Sequence, residues 1–215
     1  SQDALANATN PAGMAFVGER MDVGIALFSP SPRSYEITGT PSGFGFSLPS
    51  EKVESENDFF LIPSFGYNTS LDSMSTLGVS VYGNGGMNTE YAPTSASADL
   101  LFPGSSGVFG AGTAGINLAQ IFVNGTYARK LDKDHAVGAS LIFVYQKFSA
   151  QGLESFGASS TDGSNISGNR NSYSSGFGVK LGYQGEVSKG IRVGASYQSK
   201  VDMSEFDEYK GLFAE

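Results

Sequence analysis

The sequence predicts an all-β fold: an antiparallel transmembrane β-barrel, with about seven strands of a 14-stranded barrel present behind a short plug segment. Three observations predict it. One parity of side chains stays apolar through segment after segment, tight turns alternate with long polar links, and no apolar run is long enough for a membrane-spanning helix. The alternation carries most weight, because successive side chains of a strand point to opposite faces and a strand between two different media reads with period two.

Composition narrows the class. Among 215 residues there are 29 Gly and 8 Pro, with neither Cys nor Trp; glycine stands far above the usual share of about 7%, against a conventional helical core. Thirteen basic against 21 acidic side chains give a net charge of −8, which excludes a nucleic-acid partner, since phosphate binding needs a cationic surface. Without cysteine there are no disulfides, thiolate metal sites or cysteine nucleophiles. The longest apolar runs, Phe59 to Pro63 and Leu141 to Tyr145, are five residues, far below the roughly 18 of a membrane helix. A barrel strand needs only about 9–11 alternating residues, and the mean hydropathy of −0.12 fits that.

Ser1 to Glu19 precedes the first alternating stretch, and with no charged or apolar leader at Ser1 and an apolar patch at Gly211 to Glu215 the chain reads as a piece of a longer one. In Arg20 to Gly39, Met21, Val23, Ile25 and Leu27 alternate until Pro30 and Pro32, where the missing amide donors predict a bulge. Asp58 to Asn68 and Ser75 to Asn84 form a hairpin through Leu71-Asp72-Ser73-Met74, with Phe59, Leu61, Phe65, Tyr67, Leu77, Val79 and Val81 on the apolar parity; Pro63 needs local irregularity. Asn117 to Lys130 and His135 to Ser149 form a second, through Leu131-Asp132-Lys133-Asp134. Ser172 to Val187 turns at Ser188-Lys189-Gly190 into Ile191, Val193, Ala195, Tyr197, Val201 and Met203, again all odd.

The links 40–57, 85–115 and 150–171 are long and rich in Gly, Ser, Asn and Thr. Short turns at one end and long extracellular loops at the other are the habit of outer-membrane barrels, and Tyr67, Tyr127, Tyr145, Tyr173, Tyr183 and Tyr197 lie where an interfacial girdle belongs. A soluble β-sandwich also alternates, but its strands usually run about 5–6 residues.

With odd side chains in lipid, the even ones line the lumen. Small and polar residues dominate there, joined by Phe28, Phe60, Ile62, Leu118, Phe122, Ile142, Val144 and Phe148. These eight are the expected ligand-binding set, suited to hydrophobic small molecules with an apolar body held by area burial; the competing reading is that they pack against an internal plug. Signals for catalysis, cofactor or metal are poor. His135 sits in a turn without a nucleophile motif, Gly110 to Gly115 spells GxGxxG ahead of a strand instead of a helix, and the acidic clusters 51–58 and 202–208 lack EF-hand spacing. No catalytic residue, cofactor or metal is expected, and the chain is read as no enzyme.

The stretch Asp3 to Met14, containing Asn10-Pro11-Ala12, resembles the segment before the first strand in the FadL family, the outer-membrane transporters of long-chain fatty acids and aromatic hydrocarbons. Ile116 to Leu131, Ala136 to Leu153 and Gly194 to Gly211 extend the resemblance along the chain. It implies a monomeric 14-stranded barrel in the outer membrane of a Gram-negative bacterium, taking up hydrophobic compounds passively. Residues 1–19 would be the remnant of an N-terminal hatch (Asn10, Pro11, Ala12), 20–206 the strands and 207–215 the start of the next loop. It also implies one long bulged strand over 20–39 and a strand kink with lateral opening at Gly83, Asn84, Gly85 and Gly86. The implied partners are hydrophobic small molecules, outer-membrane lipid and the other half of the barrel, from this or another chain. If instead 20–29 and 33–39 are separate strands, eight strands could close a small structural or adhesin barrel without transport, recognisable by pairing of the first strand with Arg192 to Met203.

Overall fold

The computed structural model describes residues 3–37, 51–93, 109, 112–168 and 170–210. Its strands are β1 (Arg20–Phe28), β2 (Ser34–Ile37), β3 (Glu51–Glu54), β4 (Phe60–Ser70), β5 (Ser75–Tyr91), β6 (Ala114–Lys130), β7 (His135–Gln151), β8 (Ser172–Ser188), β9 (Ile191–Gln198) and β10 (Asp202–Met203). The main sheet runs β1-β4-β5-β6-β7-β8, with β9 and β10 both on β8, and every pairing is antiparallel. Among the described residues no helix is long and apolar enough to cross a membrane.

Two of the three hairpin turns share one device. Asp72 Oδ1 accepts from the amides of Met74 and Ser75 at 2.7 and 2.8 Å, and Asp132 Oδ1 from those of Asp134 and His135, both at 2.8 Å. Each carboxylate closes its turn as a backbone carbonyl would. These amide donors hold both carboxyls below the ordinary aspartate range. In the third turn Gly190 takes φ +80°, a left-handed value that favours glycine, and its amide donates to Glu186 Oε1.

The odd side chains face outward. Leu141, Phe177 and Leu181 are 58%, 60% and 53% exposed, whereas their even neighbours Ile142 and Lys180 are 0% and 5%. That orientation is opposite to a sandwich, whose apolar parity turns inward.

Several expected boundaries move. Arg20 to Gly39 is not one bulged strand: the chain leaves the main sheet after Phe28, and Ser34–Ile37 pairs with Glu51–Glu54 in a separate hairpin, so the expected loop 40–57 contains a strand. Proline at 30 and 32, without amide donors, ends the ladder outright. Loop 85–115 shrinks from both sides because β5 runs on to Tyr91 and β6 begins at Ala114, and β7 extends to Gln151. Within the link 150–171 lie 3-10 turns at Glu154–Ser159 and Gly163–Asn165. The eight-stranded closed barrel does not form: β1 pairs only with β4 among the described strands, and β9 only with β8.

Two bulges break the parity rule. In β5 the register shifts between Gly83 and Gly85, so beyond Asn84 it is Met87 that shares a face with the inward Leu118. On the last strand, the step from Lys180 to Phe177 in β8 is matched by a longer step from Gln198 to Asp202. One extra residue there flips the face. Val201 and Met203, expected outside, turn inward over Gly178 and Gly176, where an added Cβ would meet Val201 Cγ2 at 2.9 Å and Met203 Sδ at 2.7 Å. Taking β9 and β10 as halves of one bulged strand, the eight segments of the main sheet are the seven strands expected.

The N-terminal segment lies on the even face. Asn10 accepts from the Ala12 amide at 3.0 Å and Pro11 occupies the first position of a 3-10 helix, Pro11–Phe16, as cap and starter suit. Asn10 Nδ2 donates to the Tyr183 carbonyl at 2.9 Å. Pro11 presses on a flat seat made by Gly138 and Gly182, where an added Cβ would lie 2.5 Å from the Pro11 carbonyl carbon and 2.8 Å from its Cδ, respectively. Met14, Ala12 and Ala15 bury against Ala128 and Ala136.

Candidate functional site

The even face divides into two zones. Toward the turns its polar side chains hold the N-terminal segment: Asn68 Nδ2 donates to the carbonyls of Met14 and Gly18 (3.2 and 2.6 Å), Lys180 Nζ to that of Ala8 (2.5 Å), and Thr126 Oγ1 accepts from Asn7 Nδ2 (2.8 Å). These donors are buried and each finds an acceptor, so a 3-10 segment with few internal bonds is fixed by strand side chains, while the buried Oδ1 atoms of Asn7 and Asn68 have no partner among the described residues.

Toward the loops the lining is apolar. Phe122, Ile142 and Val144 form a buried cluster joined by Tyr82, Val201 and Met203, with the Tyr82 and Phe122 rings stacked at 5.8 Å. Phe148 and Ala150 form another with the fully buried Tyr209, joined by Ile116, Leu118 and Phe206. The Tyr209 hydroxyl accepts from the Ala150 amide at 3.2 Å, so the 3-10 turn Asp207–Tyr209 folds back over the lining.

Beside these clusters lies a cavity of about 780 Å³. Its lining takes in Phe28, Phe60, Ile62 and Leu118, half of the set expected from sequence. The other half, Phe122, Ile142, Val144 and Phe148, is packed into the two clusters. Gly83, Asn84, Gly85 and Gly86 line the cavity as well, together with Gln120, which has inward parity, and with Arg33, Met87 and Asn88, which parity alone did not single out. Met87 is hidden from a parity reading by the bulge before it. The Gly-Asn-Gly-Gly run was the available signal.

The lining draws on both faces of the sheet. Leu61, Pro63, Ile121 and Tyr145 have outward parity yet border the same space as the inward Ile62 and Leu118. The ladder explains this: β4 and β5 pair from Ser70↔Thr76 only to Ser64↔Tyr82, so Phe60–Pro63 and Gly83–Met87 are not bonded across. An added Cβ on Gly83 would touch Ile62 Cγ2 at 2.9 Å, so the absent side chain keeps the gap clear. Farther out, Glu56 N donates to the Glu90 carbonyl at 2.8 Å and Asn57 Nδ2 to Asn88 Oδ1 at 2.8 Å. The gap is therefore a window framed above and below.

Of the groups set aside for catalysis, His135 Nδ1 lies 2.7 Å from the Tyr183 hydroxyl in a stacked pair on the outward side. Gly110 and Ala111 of the GxGxxG run fall outside the described residues, and strand β6 follows.

An open antiparallel sheet with its greasy face outward, an N-terminal segment on its inner face and an apolar cavity bordered by residues of both parities defines a partial outer-membrane barrel. The chain belongs to the outer membrane protein transport protein family (OMPP1/FadL/TodX), whose model matches residues 1–214, and it is an outer-membrane protein of the Gram-negative type. The family's members are transporters rather than enzymes. Among solved structures the chain is similar to a Pseudomonas aeruginosa FadL homologue (16% identity, TM-score 0.56, 93% of this chain and 48% of that one). It is similar also to the P. putida toluene transporter TodX (14%, 0.61, 92% and 51%) and the Ralstonia pickettii toluene transporter TbuX (18%, 0.58, 91% and 52%). The chain spans about half the length of these structures. No curated protein sequence matches it.

Proposed function

We propose that this chain forms the wall, hatch and pocket of a channel for passive uptake of hydrophobic compounds, long-chain fatty acids or aromatic hydrocarbons. A compound enters from the loop side, is held in the cavity by Phe28, Phe60, Ile62 and Leu118, and leaves sideways through the window at Gly83 to Gly86 into outer-membrane lipid. The observation that carries this reading is the mixed lining, inward and outward side chains around one space. A cavity of this size lies within the usual 300–1,000 Å³ range of small-molecule sites, and an apolar lining holds cargo by burial without covalent chemistry.

The hatch residues Asn10, Pro11 and Ala12 close the turn side, so sideways release is the shorter route. Strands β1 and β9 each have one partner among the described strands; in hydrocarbon, unpaired backbone groups cost several kcal/mol each, so further strands, from this or another chain, complete the wall.

The test uses the full-length protein in cells with an intact outer membrane. Leu118→Asp puts a carboxylate in the cavity, and Gly85→Phe fills the window. Each is expected to abolish protein-dependent uptake of both oleate and toluene while the barrel still folds; undiminished uptake in both variants would overturn the reading.

A further inference from the structure

The window's outer rim is built differently from the wall below it, and we propose that Arg33 is the residue that sets its size. Arg33 acts as a positioning residue, tying the segment ahead of β4 to the outer half of β5 and so limiting the girth of the molecule that passes. The inference rests on reading the gap as the exit.

Below the gap β4 and β5 are joined by a regular ladder ending at Ser64↔Tyr82. At the outer rim the join is made largely by side chains. The Arg33 guanidinium donates from Nη1 to the Asn88 carbonyl and from Nη2 to the Asn57 carbonyl, two acceptors 31 residues apart on opposite sides of the gap. Its carbon lies 5.6 Å from the centre of the Phe60 ring, itself part of the cavity lining. Around this bridge, Asn57 Nδ2 donates to Glu90 Oε2 at 3.0 Å, the Glu90 amide to Ser55 Oγ at 3.1 Å, and the Ser55 amide back to the Arg33 carbonyl at 2.7 Å.

Arginine suits this position for two reasons. Its planar fork holds two acceptors at a fixed spacing, which a lysine ammonium on a flexible stem does not. Its face can rest on an aromatic ring while its edge donates, so one side chain fixes the rim and walls the cavity. The small hairpin that carries it is held in turn by Tyr35 meeting the Tyr91 ring edge-on at 5.1 Å. Loss of Arg33 leaves the Glu56–Glu90 and Asn57–Asn88 bonds, so the rim loosens without dissolving.

The experiment compares Arg33→Met, Arg33→Lys and the unaltered full-length protein in cells with an intact outer membrane. Uptake of pyrene and naphthalene is read by their own fluorescence as a ratio, which cancels differences in the amount of folded barrel. In parallel, spin labels at Phe59→Cys and Met87→Cys report the spread of distances across the rim. Arg33→Met is expected to raise the pyrene-to-naphthalene ratio several-fold and broaden the distance distribution, with Arg33→Lys between. Unchanged ratio and distances in Arg33→Met would overturn the proposal, as would a ratio that falls. If Arg33→Met does not fold, Arg33→Lys decides by the same two measurements. Should distances broaden while neither compound depends on the protein for entry, the rim role stands and the uptake reading fails. Should Gly85→Phe block entry while Arg33→Met moves neither readout, the uptake reading stands and the role of Arg33 fails.

Discussion

The two halves of the inner face differ in what they meet. On the turn side, Gly138, Gly182, Asn68, Thr126 and Lys180 meet one fixed partner, the N-terminal segment, with close backbone contact and specific hydrogen bonds. On the loop side, Phe28, Phe60, Ile62 and Leu118 border open space, backed by the dry Phe122–Ile142–Val144 cluster. A permanent occupant is recognised by backbone polar groups whose positions never change, so polar side chains can be matched to them one by one. The transient apolar occupant proposed for the loop side offers no such groups, and a lining of large side chains without directional demands suits it.

The sharpest test of this contrast compares neighbours on opposite faces of β7. Ile142→Ala should destabilise the full-length protein by about 2–5 kcal/mol in a denaturant titration, because it leaves a cavity in a dry cluster. Leu141→Ala, one residue away and outward, should cost far less, since lipid or detergent fills the space. Equal losses would show that the loop-side cluster is not dry. Next in size is the glycine seat: Gly138→Val drives side-chain atoms into Pro11 and should cost about 1–3 kcal/mol, with faster protease cleavage before Arg20. Lys180→Met, which leaves the Ala8 carbonyl without its donor, should cost about 1–3 kcal/mol and likewise loosen the N-terminal segment. Neither change should alter cargo binding if the halves are independent.

The smallest effect belongs to the turns. The folded-state pKa of Asp72 and of Asp132 is depressed, so each contributes stability that is present above the unfolded aspartate value of about 3.9 and is lost as pH falls through the lower folded value. Asp132→Asn should therefore flatten the acid limb of the stability profile, lowering stability slightly at neutral pH where the carboxylate's contribution is present and leaving it close to unchanged below the folded value, as an amide oxygen still accepts from Asp134 and His135.

Much of this molecule could be read without coordinates. Outward Leu141 beside inward Ile142 and the three tight hairpins follow from patterns among near neighbours, whereas the Asn10-Pro11-Ala12 segment was marked only by the family resemblance. The pocket set was half legible: Phe28, Phe60, Ile62 and Leu118 reach the cavity, while Phe122, Ile142, Val144 and Phe148 are claimed by side chains that parity put elsewhere or did not consider. Val201 and Met203 reach Ile142 only because one extra residue after Gln198 turns the strand over, and nothing in Ser199-Lys200-Val201 announces it. Asn84 was better marked, by its flanking glycines.

Alternation is a local property: each side chain's face depends on the residue before it, and the medium on each side selects its polarity, so strands, turns and the outward greasy surface are written along the chain. What fills the inside is not local. Asn7 meets Thr126 across 119 residues, Lys180 meets Ala8 across 172, and Arg33 joins Asn57 to Asn88. Only when those distant pieces are brought together does one even-numbered residue become a seat, another a dry core and a third the edge of a window.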